Sequence, residues 1–139
     1  MTQSLFSVTN IIVFITLAIS MILMDNRKGK LTLIFHPVTI KDYNQWHRFL
    51  TSGFIHADGV HLAINMFVLW SFGTAIENYY YPLVFGESAI TKFLLLYLGG
   101  IVVASIPSYL RHQNNSSYMA LGASGGVSAV VFACIVFAP

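Results

Sequence analysis

The sequence predicts an all-α protein whose helices form a polytopic transmembrane bundle. Hydrophobic residues make up 56% of the 139 residues and charged residues only 9%, whereas soluble domains carry about 25% charged residues. The mean hydropathy is +0.71, and the apolar residues fall in long runs without charge. The length allows one domain. The composition excludes an ordinary soluble domain, and the net charge of +2 is too small to indicate a nucleic-acid partner.

Four apolar runs predict four membrane-spanning helices. The first holds no charged residue, and twenty helical residues cover about 30 Å, the thickness of a bilayer core. Asp58 precedes the second run as its expected N-cap, and Tyr81 and Pro82 are expected to form part of an aromatic belt and a break after it. The spans are expected over residues 5–24, 60–76, 92–110 and 119–138 of a single domain, 1–139.

The connection between the first two spans, residues 25–59, is expected to lie in the membrane interface. It holds five of the seven lysine and arginine residues, together with several aromatic residues. Such a mixture of basic and aromatic side chains is typical of segments at the membrane surface. Under the positive-inside rule, its basic residues favour the cytoplasmic side.

A serine bracketed by glycines lies near the start of the fourth span, in the sequence Gly122-Ala123-Ser124-Gly125-Gly126. Gly122 and Gly126 fit a GxxxG face, which lets membrane helices approach closely. The string also fits the nucleophile elbow of soluble hydrolases, but residues 119–121 are too few to supply the strand that this motif requires. In the third interpretation, Ser124 is a nucleophile within the membrane, and the glycines leave room for a peptide backbone to reach it.

The second span supplies the polar groups that such a nucleophile needs. His61 and Asn65 are four residues apart and therefore share a helix face. Their side-chain N–H groups suit an oxyanion, although an interhelical hydrogen-bond pair that stabilises the bundle is the alternative. If the spans alternate in direction, the second and fourth helices start on the same side, where Ser124 can meet both residues. His56, just before this helix, is expected to be structural.

Taken in order, these residues resemble the rhomboid intramembrane serine proteases. The resemblance extends from about Trp46 to Phe137. It rests on a set of short motifs whose order and spacing match the family: residues 46–49 (WHRF), Thr51, Phe54, His56, residues 61–66 (HLAINM), Gly73, Glu77 and residues 122–125 (GASG).

The resemblance implies a role for each matched residue. Ser124 is the nucleophile, and its backbone N–H together with His61 and Asn65 lines the oxyanion hole. Arg48 and Glu77 tie the interfacial loop to the bundle, unless they are ordinary charges anchored at the interface.

The glycines Gly122 and Gly125 are expected to support the site, Gly125 by permitting close helix packing. The resemblance implies no metal and no organic cofactor. The implied partners are transmembrane protein substrates and the lipid bilayer, and the expected location is the bacterial plasma membrane.

The chain departs from the family pattern in two ways. Rhomboid proteases take their general base, a histidine, from the sixth span, whereas every histidine of this chain precedes Ser124. The base and about two spans are therefore expected beyond residue 139, and residues 1–139 alone are expected to be inactive. The family also places the first loop outside the cytoplasm, whereas the basic residues of this loop favour the cytoplasmic side. The rivals to a protease are a non-catalytic rhomboid-like protein that binds transmembrane clients and an unrelated four-helix membrane scaffold.

Overall fold

The computed structural model describes residues 7–137, and this part of the chain is helical. Its eight α-helices follow in the order α1 (Val8–Met24), α2 (Arg27–Leu33), α3 (Pro37–Tyr43), α4 (Arg48–Thr51), α5 (Gly59–Ala75), α6 (Tyr81–Phe85), α7 (Ala89–His112) and α8 (Ser124–Phe137). We call the residues between α1 and α5, 25–58, the α1–α5 connection, and residues 113–123 the α7–α8 loop. The prediction of an all-α protein is confirmed.

The four long helices form one bundle. Helix α8 packs against both α5 and α7, and α1 packs against α5. The core between them is apolar and includes the fully buried side chains of Leu69, Phe93, Tyr97 and Val130. Large apolar side chains also remain on the outside of every long helix, among them Phe14, Phe67, Leu95 and Phe132.

One stretch of the described residues, Gly59–His112, is long and apolar enough to cross a membrane, whereas α1 and α8 are shorter apolar helices. The stretch contains α5, α6 and α7 joined by short helical turns. The break expected at Pro82 is wrong, because the helical turns continue through it to Phe85. Helix α6 ends before Gly86 instead, whose φ of 53° is readily adopted only by glycine.

The boundaries of the four predicted spans differ in accuracy. Helix α5 begins one residue before the predicted start, because the Asp58 side chain accepts a hydrogen bond from His61 N and caps it as expected. Helix α7 extends beyond both predicted ends and contains Pro107. Helix α8 begins at Ser124, five residues later than predicted. Residues 5, 6 and 138 of the predicted spans lie outside the described part of the chain.

Helices α7 and α8 approach closely where both carry glycine. A β-carbon on Gly126 would lie 2.7 Å from the Tyr97 carbonyl oxygen, and one on Gly100 would lie 2.7 Å from the β-carbon of Ala129. Gly125 also faces α7, where its β-carbon would meet that of Ala104 at 2.7 Å. Small residues let helix backbones approach in this way. The expected pairing of Gly122 with Gly126 on one helix face is wrong, because Gly122 precedes α8.

Candidate active site

Ser124 is the first residue of α8 and is exposed. Its side chain borders a cavity of about 150 Å³ that lies between α7 and the α7–α8 loop. The cavity is also lined by Ser105 and Ser108 of α7, and by Ser52. Because Ser124 occupies the first turn of a helix, its backbone N–H has no partner within the helix. The position combines an accessible hydroxyl with a backbone donor at the positive end of a helix.

Gly122 brings the α7–α8 loop into contact with α5. Its φ of 116° belongs to the region that side chains rarely adopt. A β-carbon at this position would lie only 2.6 Å from His61 Cε1. Gly122 N also donates a hydrogen bond of 2.9 Å to the carbonyl oxygen of Ser52. Glycine is therefore required here both by the backbone and by the ring that packs against it.

The structure places His61 and Asn65 on α5, beside the turn that carries Ser124. The His61 ring is half-buried, and it meets Gly122 two residues before the serine. Asn65 is buried, and its Nδ2 donates a hydrogen bond of 2.9 Å to the His61 carbonyl oxygen. Within residues 7–137, neither side chain hydrogen-bonds to Ser124. The starts of α5 and α8 thus lie together, joined by the contact between His61 and Gly122.

Arg48 organises the α1–α5 connection from within. Its buried guanidinium donates through Nη1 to the carbonyl oxygens of Leu31 (2.9 Å) and Ile34 (2.8 Å), and through Nε to Gln45 Oε1 (2.7 Å). Burial lowers the pKa of Arg48 below its ordinary value, but a guanidinium remains charged in proteins. Arg48 thereby joins the end of α2 to the start of α4.

The α1–α5 connection in turn holds the α7–α8 loop. Phe35 and Ala120 form an antiparallel β-bridge with two backbone hydrogen bonds of 3.0 Å. His36 Nε2 donates to the Ser116 carbonyl oxygen at 3.0 Å, and Lys41 Nζ donates to Asn114 Oδ1 at 2.7 Å. This pairing keeps residues up to 123 out of α8 and explains why the helix starts later than predicted.

Glu77 lies at the other end of α5 from His61. Its carboxylate accepts hydrogen bonds from Val8 N (2.6 Å), Thr9 N (2.7 Å) and Thr9 Oγ1 (2.6 Å) at the start of α1. Val8 N and Thr9 N are backbone donors that a helix start leaves without intrahelical partners, and Thr9 Oγ1 is a side-chain hydroxyl. The expectation that Glu77 ties the α1–α5 connection to the bundle is therefore wrong, because Glu77 anchors the N-terminus of α1.

His56 is the residue whose importance sequence reasoning underrated. Its side chain is fully buried, with Nδ1 2.9 Å from Ser20 Oγ of α1 and Nε2 accepting from Ala123 N at 3.3 Å. The rings of His56 and His61 meet edge to face, with centroids 5.0 Å apart. These partners lie 36 and 67 residues away in the sequence. The local pattern carries no signal of them beyond a polar residue beside an apolar run.

Comparison with known proteins identifies the family to which this chain belongs. The sequence model of the Rhomboid domain matches residues 43–139, which is more than half of the chain. The chain therefore belongs to the rhomboid family, whose members are integral membrane proteins. The resemblance inferred from the sequence is confirmed.

Individual relatives come from bacteria and from organelles. The chain is 37% identical to rhomboid protease GluP of Bacillus subtilis (strain 168) over 91 residues, which cover 66% of this chain and 15% of that protein. It is 35% identical to the human mitochondrial presenilin-associated rhomboid-like protein over 85 residues, 60% of this chain and 20% of the relative. It is 33% identical to the chloroplastic rhomboid-like protein 11 of Arabidopsis thaliana over 86 residues, 62% and 27% respectively. The chain thus spans only about a sixth to a quarter of these relatives.

Proposed function

We propose that the complete protein is an intramembrane serine endopeptidase that cleaves peptide bonds in or near transmembrane segments of other proteins. The observation that carries this proposal is the placement of Ser124. It stands exposed at the N-terminus of α8, beside a cavity, with the turn before it packed against His61 through a glycine of positive φ. A relative bearing the name rhomboid protease supports the same chemistry.

In the proposed reaction, Ser124 Oγ attacks the scissile carbonyl while a histidine beyond residue 139 takes its proton. The carbonyl oxygen becomes an oxyanion that accepts hydrogen bonds from the Ser124 backbone N–H, from the His61 ring and from the Asn65 amide. The same histidine then protonates the leaving amine, and a water hydrolyses the acyl-enzyme. Asn65 has one amide hydrogen committed to the His61 carbonyl, and its second hydrogen remains for this role.

The exposed face of α8 has room for a helix that brings the missing base. Ser124, Ser128, Phe132 and Ile135 are exposed along this face at spacings of four, four and three residues, the periodicity of a helix–helix contact. A helix packed there would place its side chains beside the Ser124 hydroxyl. We infer that residues 1–139 alone lack the general base and do not cleave, and Ser124-dependent proteolysis by this segment would contradict that inference.

The membrane arrangement follows from the apolar exterior of the long helices. We propose that α1, α5, α7 and α8 are four spans of a polytopic bundle, with the α1–α5 connection in the interface. A substrate helix must unwind locally, because a hydrogen-bonded helix hides its carbonyl groups. The cavity bordered by Ser52, Ser105 and Ser108 offers polar partners for the hydrolytic water. The bacterial relative supports a location in a bacterial plasma membrane.

The test compares two serines that share one face of α8. The full-length protein is reconstituted in liposomes with a transmembrane substrate, as wild type, Ser124→Ala and Ser128→Ala. We expect cleavage by the wild type and by Ser128→Ala, and its loss in Ser124→Ala with unchanged expression and unfolding temperature. Cleavage that survives in Ser124→Ala would exclude the proposed nucleophile. Client capture without any cleavage would favour the non-catalytic rhomboid-like protein instead.

A further inference from the structure

We propose that His56 is a positioning residue for Ser124: its neutral imidazole ties the backbone N–H of Ala123, the residue before the nucleophile, to Ser20 of α1. The inference rests on the proposed function, because it assigns a purpose to the geometry around Ser124. Its ground is the buried chain of hydrogen bonds from Ser20 through His56 to Ala123.

The hydrogen-bond partners determine which nitrogen of His56 carries the proton. The Ala123 backbone N–H can only donate, so Nε2 must be the unprotonated acceptor. Ser20 Oγ donates its single hydrogen to the Phe54 carbonyl oxygen at 2.9 Å, so it must accept from His56 Nδ1–H at 2.9 Å. Each donor in this series of hydrogen bonds then has one acceptor. Only the neutral imidazole with hydrogen on Nδ1 fits this arrangement.

The hydrogen bond to Ala123 acts on Ser124 through the backbone. The backbone N–H groups of the two residues before the serine both donate hydrogen bonds to the α1–α5 connection. Gly122 N donates to the Ser52 carbonyl oxygen, and Ala123 N donates to His56. The peptide group between Ala123 and Ser124 is held on its other side by α8, where the Ala123 carbonyl oxygen accepts a hydrogen bond of 3.0 Å from Val127 N. Together these hydrogen bonds set the direction of the Ser124 N–H. That N–H is one of the proposed oxyanion donors, and such donors act only when aimed at the developing charge. His56 is therefore needed for orientation although it touches no substrate.

The environment of His56 keeps it neutral. Its pKa is lowered from 6.5 to about 4, chiefly by burial and also by the positive charge that His61 can carry, while the carboxylate of Asp58 opposes both effects. These are the two titratable groups that act on His56. At neutral pH the ring accepts a hydrogen bond from Ala123 N–H at Nε2. Protonation at Nε2 would place a second N–H opposite the Ala123 N–H and would abolish that hydrogen bond. The hydrogen-bond pattern and the pKa direction agree on the same tautomer.

The test replaces His56 in the full-length protein in two ways. His56→Phe keeps a ring but offers neither donor nor acceptor, and His56→Gln retains a carbonyl acceptor and an N–H donor. Leu69→Ala, which removes a fully buried core side chain of α5, controls for loss of stability alone. We expect His56→Phe to lower kcat by about 10- to 100-fold at nearly constant KM. His56→Gln should recover most of the rate, and Leu69→Ala should keep its kcat below its unfolding temperature.

A second measurement does not depend on activity or on any variant. Nitrogen-15 NMR of histidine-labelled protein at pH 7 should show His56 neutral with hydrogen on Nδ1. The opposite tautomer or a protonated ring would overturn the inference, as would a kcat of His56→Phe equal to that of the wild type. If wild-type cleavage does not depend on Ser124, the proposed function fails first and the positioning role fails with it. A wild type that depends on Ser124, with normal kcat in His56→Phe, refutes the positioning role alone.

Discussion

The imidazole of His61 packs directly against Gly122, with His61 Cε1 at 2.6 Å and Nε2 at 3.1 Å from where a β-carbon on the glycine would stand. This contact joins the start of α5 to the turn that carries Ser124. It exists only because residue 122 has no side chain and adopts a positive φ. The glycine and the histidine therefore depend on each other.

Gly122→Ala is expected to damage the site more than any other single-methyl addition in the α7–α8 loop. The methyl group would clash with His61, and the backbone conformation costs about 1–3 kcal/mol for a residue with a β-carbon. We expect a lower unfolding free energy and a loss of Ser124-dependent cleavage in the full-length protein. The matched control is Gly99→Ala, where a β-carbon meets nothing within 4 Å and alanine is the better helix former. Equal behaviour of the two variants would refute the importance of the contact.

Glu77→Gln should loosen the attachment of α1. The carboxylate accepts three hydrogen bonds from the first turn of that helix, whereas an amide turns an N–H group toward those donors. Loss of the charge–helix interaction and of one acceptor should lower the unfolding free energy by about 1–3 kcal/mol. The measurement is denaturant or thermal unfolding in mild detergent. The control is Glu87→Gln, which changes an exposed acid in the turn before α7 and should leave stability unchanged. An equal loss of unfolding free energy in Glu87→Gln would indicate that the change in net charge alone is responsible.

Arg48→Lys should weaken the α1–α5 connection without unfolding the bundle. A lysine ammonium cannot reproduce a planar guanidinium that spans Leu31, Ile34 and Gln45. Hydrogen exchange measured by mass spectrometry should show faster exchange in residues 27–51 and little change in α7. Arg27→Lys, an exposed substitution on α2, is the control and should exchange like the wild type. Protection that is unchanged in both variants would contradict the role assigned to Arg48.

His56 should make the fold sensitive to acid. Its pKa is about 4 in the folded protein, whereas the ordinary value is 6.5. Between pH 4 and pH 6.5, His56 is therefore protonated in the unfolded chain but neutral in the folded chain. The stability contributed by the neutral ring is complete above pH 6.5 and is lost as the pH falls through about 4. The unfolding free energies of wild type and His56→Gln should converge between pH 7 and pH 4. A difference that stays constant over this range would contradict the lowered pKa.

Local signals explain what the sequence could predict. The apolar runs located the long helices because helix formation and apolar burial are read over neighbouring residues. Asp58 marked the start of α5 because a cap bonds to a backbone group only three residues away. The four-residue spacing of His61 and Asn65 likewise placed both at the start of one helix.

The corrections concern contacts between distant parts of the chain. The late start of α8 depends on the bridge between Phe35 and Ala120, 85 positions apart in the numbering. The partners of Glu77 and His56 are equally remote, at separations of 67 to 69 residues for the bonds to Ala123, Thr9 and Val8. The oxyanion roles of His61, Asn65 and the Ser124 N–H stay predictions that the experiments above address.

The bridge between Phe35 and Ala120 has a mechanical consequence. Through it, the turn before Ser124 is hydrogen-bonded to the α1–α5 connection, within which Arg48 joins the end of α2 to the start of α4. If those helices lie at the membrane surface, as proposed, we expect the thickness of the lipid layer to affect their tilt and, through the bridge, the position of Ser124. We therefore expect the cleavage rate of the complete protein to depend on lipid composition.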